Sequence, residues 1–207
     1  MTKRTIVLAS TNKKKLVELN TLLEPAGLTV VGLDAFPDLP EVEETGATFE
    51  ENALLKACQT ARGTGLTAVA DDSGLAVDAL DGAPGVYSAR YSAEDSGIAG
   101  ATRDERNLNK LLIALRGVPE AKRTARFVCV MAACTPEGDR LVRRGEWEGR
   151  IAEAPAGHNG FGYDPIFFDP EVGCTAAQMP SEQKNSRSHR GRAVRAFLEA
   201  FAGFAKA

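Results

Sequence analysis

The sequence predicts an α/β fold built on a mixed sheet, on three observations. Residues 5–9, Thr-Ile-Val-Leu-Ala, form a short apolar run fit for a buried strand, and a polar loop leads from them into leucines at helical spacing. Two hydroxyl-to-glutamate signatures, Thr48 to Glu51 and Thr102 to Glu105, mark helix starts. Residues 124–133 are rich in strand formers, and the turn Pro136-Glu137-Gly138 can return the chain beside them.

Taken in order, the first strand is followed by a helix carrying Leu16, Leu19, Leu22 and Leu23, ended by Pro25 and Gly27. Residues 28–31 read as a second strand, so the chain begins in the α/β manner. The Thr48 cap predicts a helix over 49–62, and residues 67–70 read as a strand whose carboxyl end carries Asp71 and Asp72. The Thr102 cap opens a helix with an apolar stripe of Leu108, Leu111, Leu112 and Leu115, closed by Gly117 and Pro119. Residues 140–143 are the expected antiparallel partner of 124–133. A last helix starts near Ser188, which can cap it, with Val194, Phe197, Leu198 and Phe201 on one face. No repeat or low-complexity linker interrupts 1–207, so a single domain is expected, one core with at most two lobes.

Composition narrows the function classes. No apolar run is long enough to cross a bilayer and the start of the chain has no signal-peptide pattern, which places the protein in the cytoplasm. A formal charge of -3 argues against a general nucleic-acid binder, whose work needs a basic face. Cys58, Cys129, Cys134 and Cys174 form no close chelating pair, and a reducing compartment leaves them as thiols, with Cys58 and Cys129 read as core packing.

Several short patterns carry chemistry. Ser10, Thr11, Asn12, Lys13, Lys14 and Lys15 lie between a strand and a helix, where free amides and the helix dipole favour an anion and lysines add point charges. There is no Walker pattern, and alone the loop reads equally well as a solvated basic turn. Asp71 and Asp72 are neighbours on a strand, so only one faces a given site. Glu43 and Glu44 add hard oxygen donors of the kind that suit magnesium, although an acidic loop by itself reads as surface. Asn52 and Lys56 share one helix face close to those glutamates. Phe161, Gly162, Tyr163 and Asp164 set two aromatics among glycines, which reads either as a base-stacking surface or as a tight turn with core anchors. His189 and Arg190 open the last helix, where the arginine can stack on or donate to a flat ring.

Together these residues resemble the inosine/xanthosine triphosphate pyrophosphatase family, also called dITP/XTP pyrophosphatases or non-canonical purine NTP pyrophosphatases. The resemblance spans nearly the whole chain. It rests on Leu8-Ala-Ser-Thr-Asn12 with Lys15, Glu43-Glu-Thr-Gly46 leading to Glu51-Asn-Ala53 and Lys56, Ala70-Asp-Asp-Ser-Gly-Leu75, and Gly82-Ala-Pro-Gly85 with Tyr87-Ser-Ala-Arg-Tyr91, and further on the stretch from Gly160 to Phe168 and Lys184 with Ser188-His-Arg-Gly191. Ser10-Thr11 departs from the family's commoner Thr-Gly at that place. The resemblance implies a long twisted mixed sheet flanked by helices, two lobes with a central substrate cleft, and a homodimer. It implies magnesium-dependent hydrolysis of a purine nucleoside triphosphate to monophosphate and pyrophosphate, cleansing the nucleotide pool of ITP, dITP and XTP. It assigns Asp72 as catalytic carboxylate and metal ligand, Glu43 as metal partner, residues 10–15 and Lys56 as phosphate contacts and Ser73 as a substrate contact. Phe161 to Asp164, Lys184, His189 and Arg190 would grip the base. Two other readings stand beside it: a related house-cleaning pyrophosphatase for other modified nucleotides, and a non-catalytic nucleotide-binding regulator. The clustered carboxylates count against the regulator, because a polyanion gains nothing from them without a cation between.

Overall fold

The structure, a computed structural model, describes residues 4–204 and, within them, every side chain but those of Lys14, Glu18, Ala26 and Ala202. The apolar run near the start forms β1 (Arg4–Leu8), with Ile6, Val7 and Leu8 buried. Helix α1 (Lys13–Leu23) turns Leu19 and Leu23 inward, and the chain reverses at Gly27, whose φ of 75° is open to glycine at no steric cost. Strand β2 (Leu28–Val31) lies parallel to β1 in the register Arg4 to Leu28 through Val7 to Val31.

The first capping box forms as its residues dictate. Thr48 Oγ1 accepts from the Glu51 amide at 3.1 Å, Glu51 accepts from the Thr48 amide at 3.1 Å, and α2 (Phe49–Thr64) runs on from there. Ala53, Ala57 and Ala61 make its buried stripe. Strand β3 (Ala68–Val77) pairs in parallel with the far side of β1, Val7 to Ala68 and Leu8 to Val69. The two aspartates are not at its carboxyl end as expected. Leu75 and Val77 continue its buried face, so Asp71 and Asp72 are mid-strand, just beyond the last residue paired with β1.

The second capping box, Thr102 with Glu105, opens α3 (Arg103–Ala114). Leu108, Leu111 and Leu115 are buried, while Leu112 packs at the edge of the same cluster. Strands β4 (Thr124–Cys134) and β5 (Arg140–Ile151) are joined by the expected turn, in which the Gly138 amide donates to Thr135 O at 3.0 Å. Strand β5 runs eight residues past the predicted segment and pairs antiparallel with β6 (Phe167–Asp169), itself antiparallel to β7 (Cys174–Thr175). A short helix, α4 (Ser181–Arg187), precedes α5 (His189–Phe204), and the Ser188 hydroxyl accepts from the Gly191 amide at 3.1 Å. The sheet is mixed, in the order β2-β1-β3-β4-β5-β6-β7.

The backbone divides into two compact units, one holding the chain up to Asp72 with Val130–Arg144 and the end of α5, the other holding Ser73–Cys129 and Gly145–Arg192. In the first, Cys58 on α2 and Cys134 at the end of β4 are joined by a disulfide across 5.0 Å between Cα atoms, which corrects the expectation of free thiols. Cys129 and Cys174 lie outside that disulfide, Cys129 buried as expected. In the second, Leu75, Leu111, Phe127, Trp147, Tyr163 and Phe167 belong to one core cluster.

That second core contains a buried ion. The Asp169 carboxylate is 1% exposed and accepts from Trp147 Nε1 at 2.9 Å, Arg187 Nε at 2.9 Å and the Glu171 amide at 2.8 Å. Burial by itself raises its pKa, but the bonds from Trp147, Arg187 and the Glu171 amide, with the Arg187 charge, outweigh burial and hold it below the ordinary carboxylate value. A carboxyl whose folded pKa lies below the unfolded value of about 3.9 stabilises the fold above that value and loses the contribution as pH falls through the folded one. Asp169→Asn is therefore expected to be less stable than the wild type at neutral pH, with the gap narrowing as pH falls below the unfolded value of about 3.9 toward the lower folded one. Denaturant unfolding of both proteins across that range checks it, and a gap that does not change with pH would show that the charge is not what stabilises.

Candidate active site

In the first unit, β1 runs out at Leu8 and the chain turns, with the Ser10 amide donating to Leu8 O at 2.8 Å. The Asn12 amide donates to Ser10 Oγ at 3.2 Å, and Asn12 Oδ1 accepts from the Lys15 amide at 3.3 Å, so the loop's own polar side chains cap the start of α1. Thr11, Asn12 and Lys13 are exposed and Ser10 is half-buried; the Lys14 side chain lies outside the described residues. Lys15 is no solvated turn residue. Its ammonium reaches β3 and meets both oxygens of Asp71, at 2.8 and 2.7 Å, with the Asp71 side chain 3% exposed.

Asp72, the next residue, turns to a different cation, as the pleat requires. Lys56 Nζ on α2 lies 3.6 Å from Asp72 Oδ1 and 2.6 Å from Glu44 Oε1. One ammonium thus stands between two carboxylates, and the 3.6 Å arm is an ion pair, too long for a hydrogen bond. Glu43, expected as the metal partner, is exposed, and it is Glu44 that meets the lysine of Asp72. Exposure alternates from 41 to 46, so neighbouring glutamates point opposite ways and register decides which one turns inward. The loop is held from α2, where the fully buried Asn52 accepts from the Gly46 amide at 2.8 Å and Glu51 from the Ala47 amide at 2.7 Å. The shared face of Asn52 and Lys56 therefore serves one end each of the same acidic segment. Among the described residues no three His, Cys, Asp or Glu side chains converge on one point, so the oxygen donors available to a cation are few.

In the second unit, Ser73 follows on β3 with an exposed side chain. Phe161 is 80% exposed, and the turn beneath it is tight: a Cβ on Gly160 would lie 2.0 Å from Asp164 Oδ2, a place only glycine fits. Asp164, 4% exposed, accepts from the Phe161 amide at 2.8 Å and pairs with the Lys184 ammonium. Gly162 donates its amide to Asp104 Oδ2 at 3.1 Å. Lys184 lies 5.4 Å from the centre of the Phe161 ring, a cation over a π face. Tyr163 departs from the expected base contact. It is 5% exposed, its hydroxyl donates to Ser88 O at 2.9 Å, and burial, helped by Tyr91 and Asp104, pushes its pKa up. The phenol stays neutral and anchors the turn, and the turn leaves Phe161 as the ring that faces solvent. His189 stacks on Phe127 with ring centres 4.8 Å apart and planes 14° apart, and Arg190 beside it is half-buried.

Known proteins share both the pattern and the fold. The Ham1 family model matches residues 6–200. A dITP/XTP pyrophosphatase of Nitratidesulfovibrio vulgaris is 60% identical over 204 residues, covering 99% of each chain. One of Geobacter sulfurreducens is 54% identical over 189 residues, covering 91% of this chain and 92% of its own. The solved structure of the Staphylococcus aureus Ham1 protein superposes with a TM-score of 0.87 at 41% identity, over 97% of this chain and 100% of its own.

Proposed function

The chain belongs to the Ham1 family, and from that premise we propose that it hydrolyses non-standard purine nucleoside triphosphates, ITP, dITP and XTP, to the monophosphate and pyrophosphate. The observation that carries the chemistry is the pair of lysine–carboxylate contacts set on one strand, Lys15 with Asp71 and Lys56 with Asp72 and Glu44. Two ammonium groups placed by carboxylates suit a polyphosphate. The Asp72 and Glu44 carboxylates beside Lys56 suit a hard divalent cation, which usually takes one or two protein carboxylates and completes its shell with water and substrate phosphate. Asp72 and Glu44 fit that donor set, with Glu43 adjoining, and magnesium held there supplies neutralisation of charge on the phosphate oxygens.

The reaction adds water to the α-phosphorus and breaks the bond to the α–β bridging oxygen, which leaves with the pyrophosphate. Asp72 accepts a hydrogen bond from the attacking water and takes its proton as the new P–O bond forms. Lys15, Lys56 and the Ser10 to Lys13 loop hold phosphate oxygens in place, so the electrostatic stabilisation is built before the substrate arrives. Ser73 touches the substrate next to Asp72. Phe161 offers the base a face, and Lys184, His189 and Arg190 offer donors to its six-position oxygen. The family resemblance supports a homodimer working on free nucleotides in the cytoplasm, and among the described residues no helix is long and apolar enough to cross a membrane.

Product analysis tests the reading. Inosine triphosphate is expected to yield inosine monophosphate and pyrophosphate in equal amounts, with activity lost in excess chelator and restored by magnesium. Orthophosphate as the first product, or turnover untouched by the chelator, would overturn it.

A further inference from the structure

Helix α4 carries Lys184 and leads within two residues of its end to His189, yet it has little to hold it. It is seven residues long, its N-cap Pro180 makes no side-chain cap, and none of its residues is buried. A helix of that length does not persist alone. Besides Lys184, Arg187 at its last position ties it down. Arg187 Nε donates to Asp169 Oδ2 at 2.9 Å, and its other arm meets Glu171. The outer arm lies on a Glu171 side chain that is 78% exposed and contributes little. The inner arm ends on a carboxylate that is 1% exposed.

The same Asp169 oxygen accepts from Trp147 Nε1 at 2.9 Å. The Trp147 ring lies 6.3 Å from Phe127, and Phe127 is the ring on which His189 stacks at 4.8 Å. One buried carboxylate therefore grips the segment twice, through Arg187 between Lys184 and His189 and through the aromatic floor under His189. Backbone amides of Glu171 and Val172, at 2.8 and 3.4 Å, fill the other oxygen. A buried ion so fully bonded is rigid, and removing one partner is costly because the charge stays behind.

We propose that the Asp169–Arg187 pair positions the base-recognition segment, fixing α4 so that Lys184 and His189 are presented in one geometry. Both are positioning residues that do not touch the nucleotide. This rests on the base-binding role assigned above to Lys184 and His189.

Hydrogen exchange and kinetics on the full-length chain test it, with Arg187→Leu, Arg187→Lys, Asp169→Asn and the double variant Asp169→Asn/Arg187→Leu. In Arg187→Leu, amides of residues 181–190 are expected to exchange about tenfold faster while those of α3 keep wild-type protection. The KM for inosine triphosphate is expected to rise about tenfold with kcat within about twofold, the signature of lost binding with the chemistry intact. Arg187→Lys, which keeps a cation beside Asp169, is expected to recover part of both effects. In the double variant, exchange across residues 181–187 is expected to be no faster than in Arg187→Leu, because the Asp169–Arg187 link that holds them is already cut there. Trp147 is the chain's single tryptophan, so its emission reports the Asp169 end directly: shifted in Asp169→Asn, unshifted in Arg187→Leu. Unchanged exchange at 181–190 in a folded Arg187→Leu, or an unchanged KM, overturns the proposal. A wild type that releases no pyrophosphate overturns the functional reading instead, and exchange then decides the anchor by itself.

Discussion

Asp72→Asn is expected to lower pyrophosphate release from inosine triphosphate by roughly 10²- to 10⁴-fold, the range that a positioned acid–base group contributes, while leaving the melting temperature nearly unchanged. The amide keeps the carboxylate's shape and removes its charge. Lys56 retains Glu44 at 2.6 Å, so the helix keeps its contact with the acidic loop and no buried cation is stranded. What is lost is the acceptor of the water's proton and one of the oxygen donors beside Lys56. Asp71→Asn is expected to behave the other way round. Its side chain is 3% exposed and holds Lys15 with both oxygens, so the substitution weakens a partly buried ion pair and lowers stability by about 1–3 kcal/mol, with a smaller loss of kcat. Steady-state kinetics and thermal unfolding of the two variants side by side make the comparison. Wild-type turnover by Asp72→Asn would mean that the wrong neighbour has been chosen.

The contrast between those neighbours was readable in the sequence because a strand alternates, and so were the helices opened by Thr48 and Thr102, whose signatures are local and chemical. What resisted reading had no periodic signal. Strands β6 and β7 span three and two residues, too short for any alternation to register, and α4 contains no apolar residue at all. The end of β3 was misplaced because two aspartates resemble a strand's polar exit, whereas the buried Leu75 and Val77 beyond them carry the strand onward. Cys58 and Cys134 lie 76 residues apart, and nothing local marks them as a pair.

The candidate site divides in the same way. Residue types were legible, whereas the choice among adjacent ones depended on register that only tertiary packing sets. Glu44 turns inward and Glu43 outward in a segment with no regular structure, and Phe161 faces solvent because Tyr163 spends its ring in the core and its hydroxyl on Ser88. Asp169 and Arg187 were missed altogether. An aspartate after two phenylalanines and an arginine in a polar run carry no sign that they meet, since 18 residues separate them and a tryptophan on a third element completes the contact.

Lys184→Met is expected to cut kcat/KM for inosine triphosphate by roughly tenfold to a hundredfold and for adenosine triphosphate much less, so that the preference between them narrows. The ammonium has three N–H groups and Asp164 engages it on one side, which leaves donors for an acceptor on the base. Hypoxanthine presents such an acceptor, its six-position oxygen, whereas adenine presents an amino group whose hydrogens face the same donors. One unmatched buried polar contact costs about 1–3 kcal/mol, which converts to the stated range. Methionine keeps an unbranched chain near the Phe161 ring, so stacking on the ring survives and only the donor and its charge are removed. Asp164, 4% exposed, loses its cation in the variant, and a lower melting temperature should accompany the change. The readout is therefore the ratio of the two kcat/KM values, which a general loss of stability does not move. If both activities fall together and the ratio stays where it was, Lys184 serves only to hold the turn below Phe161, and selection of the six-position oxygen belongs to His189 and Arg190.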